Sequence, residues 1–248
     1  MAKKIFAANW KLNKTPEEAR EFVINLKNET FKIEGFFDKC EVILFPSAFS
    51  LEAVSTLCAG TAIGFGPQNI YSQNSGAFTG ENSAEVAKSL RSEFILIGHS
   101  ERREIFKEAD ADLNKKHLLT QQLGLTSVFC IGENLEQREA GKTLEVCLAQ
   151  LEKGLQGANK SERLIVAYEP VWAIGTGKVA TVEQVAEVHQ KLHDELVSKG
   201  YASVQLLYGG SVKPDNAAEL LKINYVDGFL IGGAALKVES FLQICNKA

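Results

Sequence analysis

Short apolar runs rich in β-branched residues recur along the chain at intervals of roughly 20 to 40 residues, each followed by a longer stretch with helical spacing of its apolar positions. The alternation predicts eight repeated βα units. The expected strands are Lys4 to Trp10, Glu41 to Phe45, Ala62 to Gly66, Phe94 to Ile97, Ser127 to Ile131, Leu164 to Glu169, Gln205 to Gly209 and Gly228 to Gly232. Runs such as ILIG, IVAY and GFLIG are apolar almost throughout, as in parallel strands covered on both faces. Expected helices include Pro16 to Asn28, Val182 to Lys199 and Pro214 to Lys222. Thr15 precedes Pro16 as an N-cap, and Pro214 follows Lys213 at a first helical position.

Eight such units in 248 residues fit a closed (β/α)8 barrel, whereas an open doubly wound sheet has fewer strands and a phosphate loop after the first. No linker, low-complexity tract or charge block divides the chain, so residues 1–248 are expected to form one domain. A composition of 45% hydrophobic and 23% charged residues supplies an ordinary core and excludes disorder. The net charge of −4 gives no overall attraction to nucleic acid or an anionic membrane surface, so a small anion would need a local cationic site. Cys40, Cys58, Cys130, Cys147 and Cys245 are widely spaced, without a CxxC pair, and suggest neither a disulfide framework nor a zinc knuckle. Asn9 and Lys11 interrupt the apolar run after Lys3 and Lys4 too early for an export signal, and no run reaches the length of a spanning helix. A cytoplasmic location is the expectation.

A barrel gathers the residues that follow its strands on one rim, where barrel chemistry sits. The segment AYEPVWAIGTGK puts Glu169 at the end of the sixth strand, with Pro170 ending the strand and Gly175 and Gly177 allowing backbone to approach an anion. Glu169 is either a catalytic base beneath a flap or a surface carboxylate in an ordinary turn. Asn9 and Lys11 share one face of the first strand, with Trp10 opposite; Lys11 either attracts an anion or is a solvated lysine. The segment IGHSERR brings His99 and Glu101 to the rim, with Ser100 able to cap the following turn. A histidine there is held neutral by the helix dipole, or is merely structural. Glu101 orients Lys11, or pairs with Arg102 or Arg103. Two glycine pairs, Gly209 with Gly210 and Gly232 with Gly233, follow the last two strands, where barrels hold phosphate on backbone N–H groups. His189 and His193 are spaced for one helix face but lack the glutamate of a zinc protease, so a solvated face is expected. Cys130, ending the fifth strand, either points into the rim or is a small buried residue.

With NWK, GHSERR, AYEPVWAIGTGK, YGGSV and IGGA in this order, the chain closely resembles the triosephosphate isomerase family over nearly its whole length. The resemblance implies a single-domain TIM barrel that needs no metal, flavin or nicotinamide. It makes Glu169 the catalytic base, His99 the electrophile, Lys11 the electrostatic anchor and Asn9 a substrate-orienting amide; this pairing of glutamate and neutral histidine is the family's own well-known worked case and is carried over as such. Backbone groups of Gly175, Ser211, Gly232 and Gly233 would hold the substrate phosphate, with Glu101, Tyr208 and Cys130 in support and Tyr208 and Ser211 bonding the closed lid. Pro170, Val171 and Trp172 would form its first hinge, Ala173, Ile174, Gly175, Thr176 and Gly177 its tip, and Lys178, Val179 and Ala180 its second hinge. The family also forms homodimers through a loop after the third strand, here Gln68 to Glu81, whose Thr79 would support Asn9 and Lys11 of the partner subunit. Asn82, Val182 and Ala235 depart from common family choices, with no effect on a carried-over chemical group. A different phosphate-binding barrel enzyme, or a non-catalytic binder, are the alternatives that substrate profiling would distinguish.

Overall fold

Side chains alternate across a strand, and in this chain both faces meet apolar surroundings. The computed structural model describes residues 3–174 and 178–248. Its strands are β1 (Lys4–Asn9), β2 (Cys40–Phe45), β3 (Ile63–Phe65), β4 (Phe94–Ile97), β5 (Thr126–Ile131), β6 (Leu164–Tyr168), β7 (Gln205–Tyr208) and β8 (Gly228–Ile231). In β1, Ile5 and Ala7 join Ile43, Val128, Ile165, Leu207 and Leu230 in the barrel interior, while Phe6 and Ala8 join the larger layer beneath the helices. This explains strands that read as continuous apolar runs.

All the strand pairs are parallel, in the order β3-β2-β1-β8-β7-β6-β5-β4. The two ends of that order meet at a seam where Glu93 N donates to Phe65 O at 3.1 Å and Leu96 N donates to Pro67 O at 3.2 Å, giving the (β/α)8 barrel. The expected strands overran by about one residue: Trp10, Glu169, Gly209 and Gly232 fall just past the ends of their strands, on the rim.

The helix Pro16–Phe31 starts with the expected Thr15 cap, which Glu18 answers in a reciprocal capping box. It outlasts its predicted end, Thr30 Oγ1 donating to Leu26 O at 2.8 Å in the last turn. The helix Val182–Ser198 begins with a second box, Thr181 with Gln184, so Val182 at its first position dispenses with proline. The helix expected from Pro214 is shorter, Ala217–Leu220. Asn216 takes over the preceding turn, accepting from Lys213 N at 2.8 Å and donating to Ser211 O at 3.0 Å.

His189 overturns the expectation of a solvated face. It is wholly buried, its Nδ1 lies 2.9 Å from Tyr225 O, and its ring packs edge-on to Tyr168, whereas His193 stacks on Tyr225 nearer the surface. A second buried imidazole, His117, ties the helix Asp110–Gln122 to β5 through a 2.8 Å contact between Nδ1 and Ser127 Oγ. Burial lowers the pKa of each to about 4.

Both histidines are therefore neutral in the folded protein over a pH range in which the unfolded chain takes up protons, so stability falls as pH drops from about 6.5 toward 4. Between pH 7.5 and 5 each buried imidazole is expected to cost about 2 kcal/mol of unfolding free energy. Replacing His117 and Ser127 together by valine removes both partners of one contact, and urea titrations of that variant at the two pH values are expected to show about half the histidine-dependent loss.

Candidate active site

Glu169 leaves β6 between two close-packed neighbours. Its N–H donates to Ile131 O at 2.7 Å, and Gly209 N donates to Tyr168 O at 2.8 Å. A Cβ at Gly132 would stand 1.8 Å from Glu169 O, and one at Gly209 would stand 2.8 Å from Glu169 Cγ. Only glycine permits that approach on both sides. The carboxylate is consequently 1% exposed. Ser100 N donates to its Oε2 at 2.9 Å, and His99 Nε2 lies 3.0 Å from its Oε1.

The imidazole of His99 is oriented from its other side. Glu101 N donates to His99 Nδ1 at 3.2 Å, which leaves the ring proton on Nε2, facing Glu169. His99 is thus the cap of the short helix Ser100–Glu104, and Ser100, expected as that cap, instead gives its backbone N–H to the carboxylate.

Across the same opening, Asn9 Oδ1 accepts from Lys11 N at 3.0 Å, and Lys11 Nζ meets Glu101 Oε1 at 2.6 Å. Glu101 therefore orients Lys11; Arg102 pairs with Glu108 and Arg103 with Asp110. Asn9, Lys11, His99, Glu169, Ser211, Gly232 and Gly233 line one cavity of about 350 Å³. Two lysines, Lys11 and Lys213, one imidazole N–H and glycine-rich backbone thus line the cavity with a single carboxylate.

The supporting positions sit deeper. Cys130 is fully buried in the barrel interior, and both burial and the neighbouring Glu169 charge push its thiol well above the ordinary value. It is a small core side chain of the interior cluster, and it is not among the residues that line the cavity. Tyr208 is buried, and its phenol is raised to about 12 by desolvation, with the Ala180 backbone amide opposing. Thr79 is exposed and lies apart from the cavity within this chain.

The segment expected as the first hinge contains a 3-10 turn, Val171–Ala173, in which Ala173 N donates to Pro170 O at 2.8 Å. Ile174 extends toward the cavity wall. Lys178 and Val179 are exposed and Ala180 is buried. Gly175, Thr176 and Gly177 lie outside the described residues.

A second buried carboxylate was missed in the sequence. Glu133, wholly buried, accepts from Trp172 Nε1 at 2.9 Å, Tyr168 Oη at 3.1 Å and Thr143 Oγ1 at 3.3 Å, and its main-chain oxygen accepts from Val171 N at 3.1 Å. It holds the 3-10 turn Val171–Ala173 by side chain and backbone. Its place just after β5, in CIGE, was the available signal, but nothing in the sequence pairs it with Trp172.

Among the described residues no group of three or more His, Cys, Asp or Glu side chains could hold a metal ion, and no helix is long and apolar enough to cross a membrane. A family model described as triosephosphate isomerase matches residues 4–248. The chain belongs to the triosephosphate isomerase family. A triosephosphate isomerase of Bdellovibrio bacteriovorus is 55% identical over 98% of this chain and 99% of its own length. Proteins of the same name from a Ruegeria species and from Lactobacillus delbrueckii subsp. bulgaricus are 44% and 41% identical, covering 97% and 98% of this chain and 96% and 97% of theirs. The protein is accordingly an isomerase.

Gly209 provides a steric probe of the carboxylate. Gly209→Ala is expected to push Glu169 from its place and lower kcat for triose phosphate isomerisation by about tenfold or more, since displacements near 1 Å carry penalties of that order. Steady-state kinetics, with circular dichroism to establish folding, checks it.

Proposed function

We propose that the protein interconverts dihydroxyacetone phosphate and D-glyceraldehyde 3-phosphate through an enediolate, serving glycolysis and gluconeogenesis in the cytoplasm. The convergence of Glu169, His99 and Lys11 on one cavity, in a chain of this family, is the observation that carries the reading. The substrate phosphate lies against backbone of Ser211, Gly232 and Gly233, with Gly175 closing over it, and Asn9 orients the carbonyl end.

Glu169 takes the pro-R proton from C1. To do so it leaves Ser100 N and His99 Nε2, and the freed Nε2 proton turns to the substrate carbonyl oxygen, where negative charge develops. Lys11 offsets that charge. The protonated carboxyl then returns its proton at C2 while the hydroxyl proton of O1 passes to O2, so that C1 becomes the aldehyde and C2 bears the hydroxyl. The low exposure of Glu169 strengthens these interactions, and a lid hinged at Pro170, Val171 and Trp172, and again at Lys178, Val179 and Ala180, keeps water from an intermediate prone to lose phosphate. Tyr208 and Ser211 hold the closed lid.

The same reading includes a homodimer built on the loop from Gln68 to Glu81, with Thr79 supporting Asn9 and Lys11 of the partner subunit. Gln68 Nε2 donates to Lys11 O at 2.8 Å and to Phe45 O at 2.9 Å, which ties the root of that loop to the exits of β1 and β2. There Leu12 and Phe49 are 98% and 92% exposed, an apolar surface suited to burial against a second copy.

Wild-type protein in heavy water is expected to introduce deuterium at C1 of dihydroxyacetone phosphate. Glu169→Gln is expected to lower kcat at least about 10²-fold while the fold persists, on the usual worth of a positioned base; turnover near wild type would remove Glu169 from that role. Sedimentation is expected to give a mass near twice 27.1 kDa, and Phe49→Asp to shift the protein toward monomer with loss of activity. An active, concentration-independent monomer would contradict the partner-supported site.

A further inference from the structure

Lys14 occupies a position that its residue type disfavours. Its φ is +71°, in the left-handed region where a side chain carries a steric penalty that glycine does not. A non-glycine residue held in that conformation beside a site invites a search for what the side chain does. Its ammonium reaches across the rim to the far end of the chain, donating to Leu236 O at 2.9 Å. On the way it lies 4.8 Å from the ring centre of Phe22 and 5.4 Å from that of Trp10, so its stem and charge rest on aromatic faces. The Lys14 carbonyl accepts from Ser50 Oγ at 3.2 Å, fixing the backbone from the other side. Glu18 and Glu21 favour the charged form of this half-buried ammonium, against the larger effect of desolvation.

Leu236 closes the 3-10 turn Gly233–Ala235, its N–H donating to Gly233 O at 3.2 Å while Ala235 N donates to Gly232 O at 2.9 Å. Lys14 thus holds the back of a turn whose front lines the cavity. At that front, a Cβ on Gly232 would stand 3.3 Å from Lys11 Cε. The loop after β1 and the loop after β8 therefore meet twice, at the cavity through Lys11 and behind it through Lys14.

We propose that Lys14 is a positioning residue that sets the spacing between the Lys11 ammonium and the backbone of Gly232 and Gly233, and through it the affinity for the phosphate-bearing substrate. The inference rests on the isomerase reading given above. The side chain works at a distance, since Lys11, Gly232 and Gly233 line the cavity and Lys14 does not.

Three variants separate this role from plain packing. Lys14→Met keeps the stem over Trp10 and Phe22 without the donor, Lys14→Gly relieves the left-handed backbone while losing the donor, and Lys14→Arg restores a cation that can reach the carbonyl. KM for dihydroxyacetone phosphate and inhibition by 2-phosphoglycolate are measured beside kcat and thermal unfolding. Met and Gly variants are expected to weaken both affinities by about 3- to 10-fold, the net worth of one ordinary hydrogen bond, with kcat within about twofold of wild type and most of the affinity regained by arginine. Affinities within twofold of wild type in the Met and Gly variants, a fall in kcat alone, a fall in thermal stability alone, or an arginine variant no better than methionine would each overturn the proposal. Wild-type protein that neither turns over triose phosphate nor binds 2-phosphoglycolate would overturn the isomerase reading and this inference together, whereas an active wild type with unaffected variants overturns this inference only.

Discussion

A carboxylate kept almost dry at the mouth of a barrel constrains everything around it. An ionised carboxylate loses much of its hydration when buried, and that loss is tolerable only where charge-assisted hydrogen bonds replace the water. Glu169 obtains two such contacts, from Ser100 N and His99 Nε2. Both donors come from the segment after β4, so β4 must lie on the same side of the barrel as β6, one strand away in the order of the sheet. The parallel register of β5 and β7 with β6 then forces two glycines to flank Glu169, because Gly132 approaches its main-chain carbonyl and Gly209 its Cγ more closely than a Cβ allows. The chemistry and the strand order are thus one constraint seen at two scales.

Glu133 shows the same problem solved for a different end. It too is buried, yet its partners are Tyr168, Trp172 and Thr143, none of which faces the cavity. Tyr168 and Glu169 are adjacent in sequence and point to opposite sides, so the end of β6 serves the Glu133 cluster on its outer face and the proposed base on its inner face. The phenol of Tyr168 is pushed above its ordinary range first by burial and then by the Glu133 carboxylate, and it stays a neutral donor to that carboxylate.

The strand pattern was legible because each strand is buried on two faces and its apolar run is continuous. The rim was legible because glycine pairs and Glu169 stand immediately after those runs. Side-chain contacts between the segments that follow different strands were not legible. The pairing of Glu133 with Trp172 joins residues 39 apart, and that of Ser100 with Glu169 joins residues 69 apart. His189 was misplaced on a solvated face because helical spacing places a residue on a stripe without saying what covers the stripe; here Tyr168 and the Tyr225 carbonyl cover it. The helix expected from Pro214 is regular only over Ala217–Leu220, because Pro214 opens a turn in which Lys213 O accepts from Ala217 N at 3.1 Å and the Asn216 side chain folds back on Lys213 N.

The loop after β1 shows how such a rim is held without regular structure. Between Trp10 and Thr15 two lysines, Lys11 and Lys14, adopt φ of 52° and 71°. A loop with two left-handed residues is poorly suited to stand alone, so its shape must come from what grips it. Gln68 takes the Lys11 carbonyl, Ser50 takes the Lys14 carbonyl, Glu101 takes one ammonium and the Leu236 carbonyl takes the other. These four contacts come from the segments after β3, β2, β4 and β8. An ammonium aimed into the cavity is therefore set by most of the rim at once, and exposed Leu12, between the two lysines, projects from a segment already fixed on every other side.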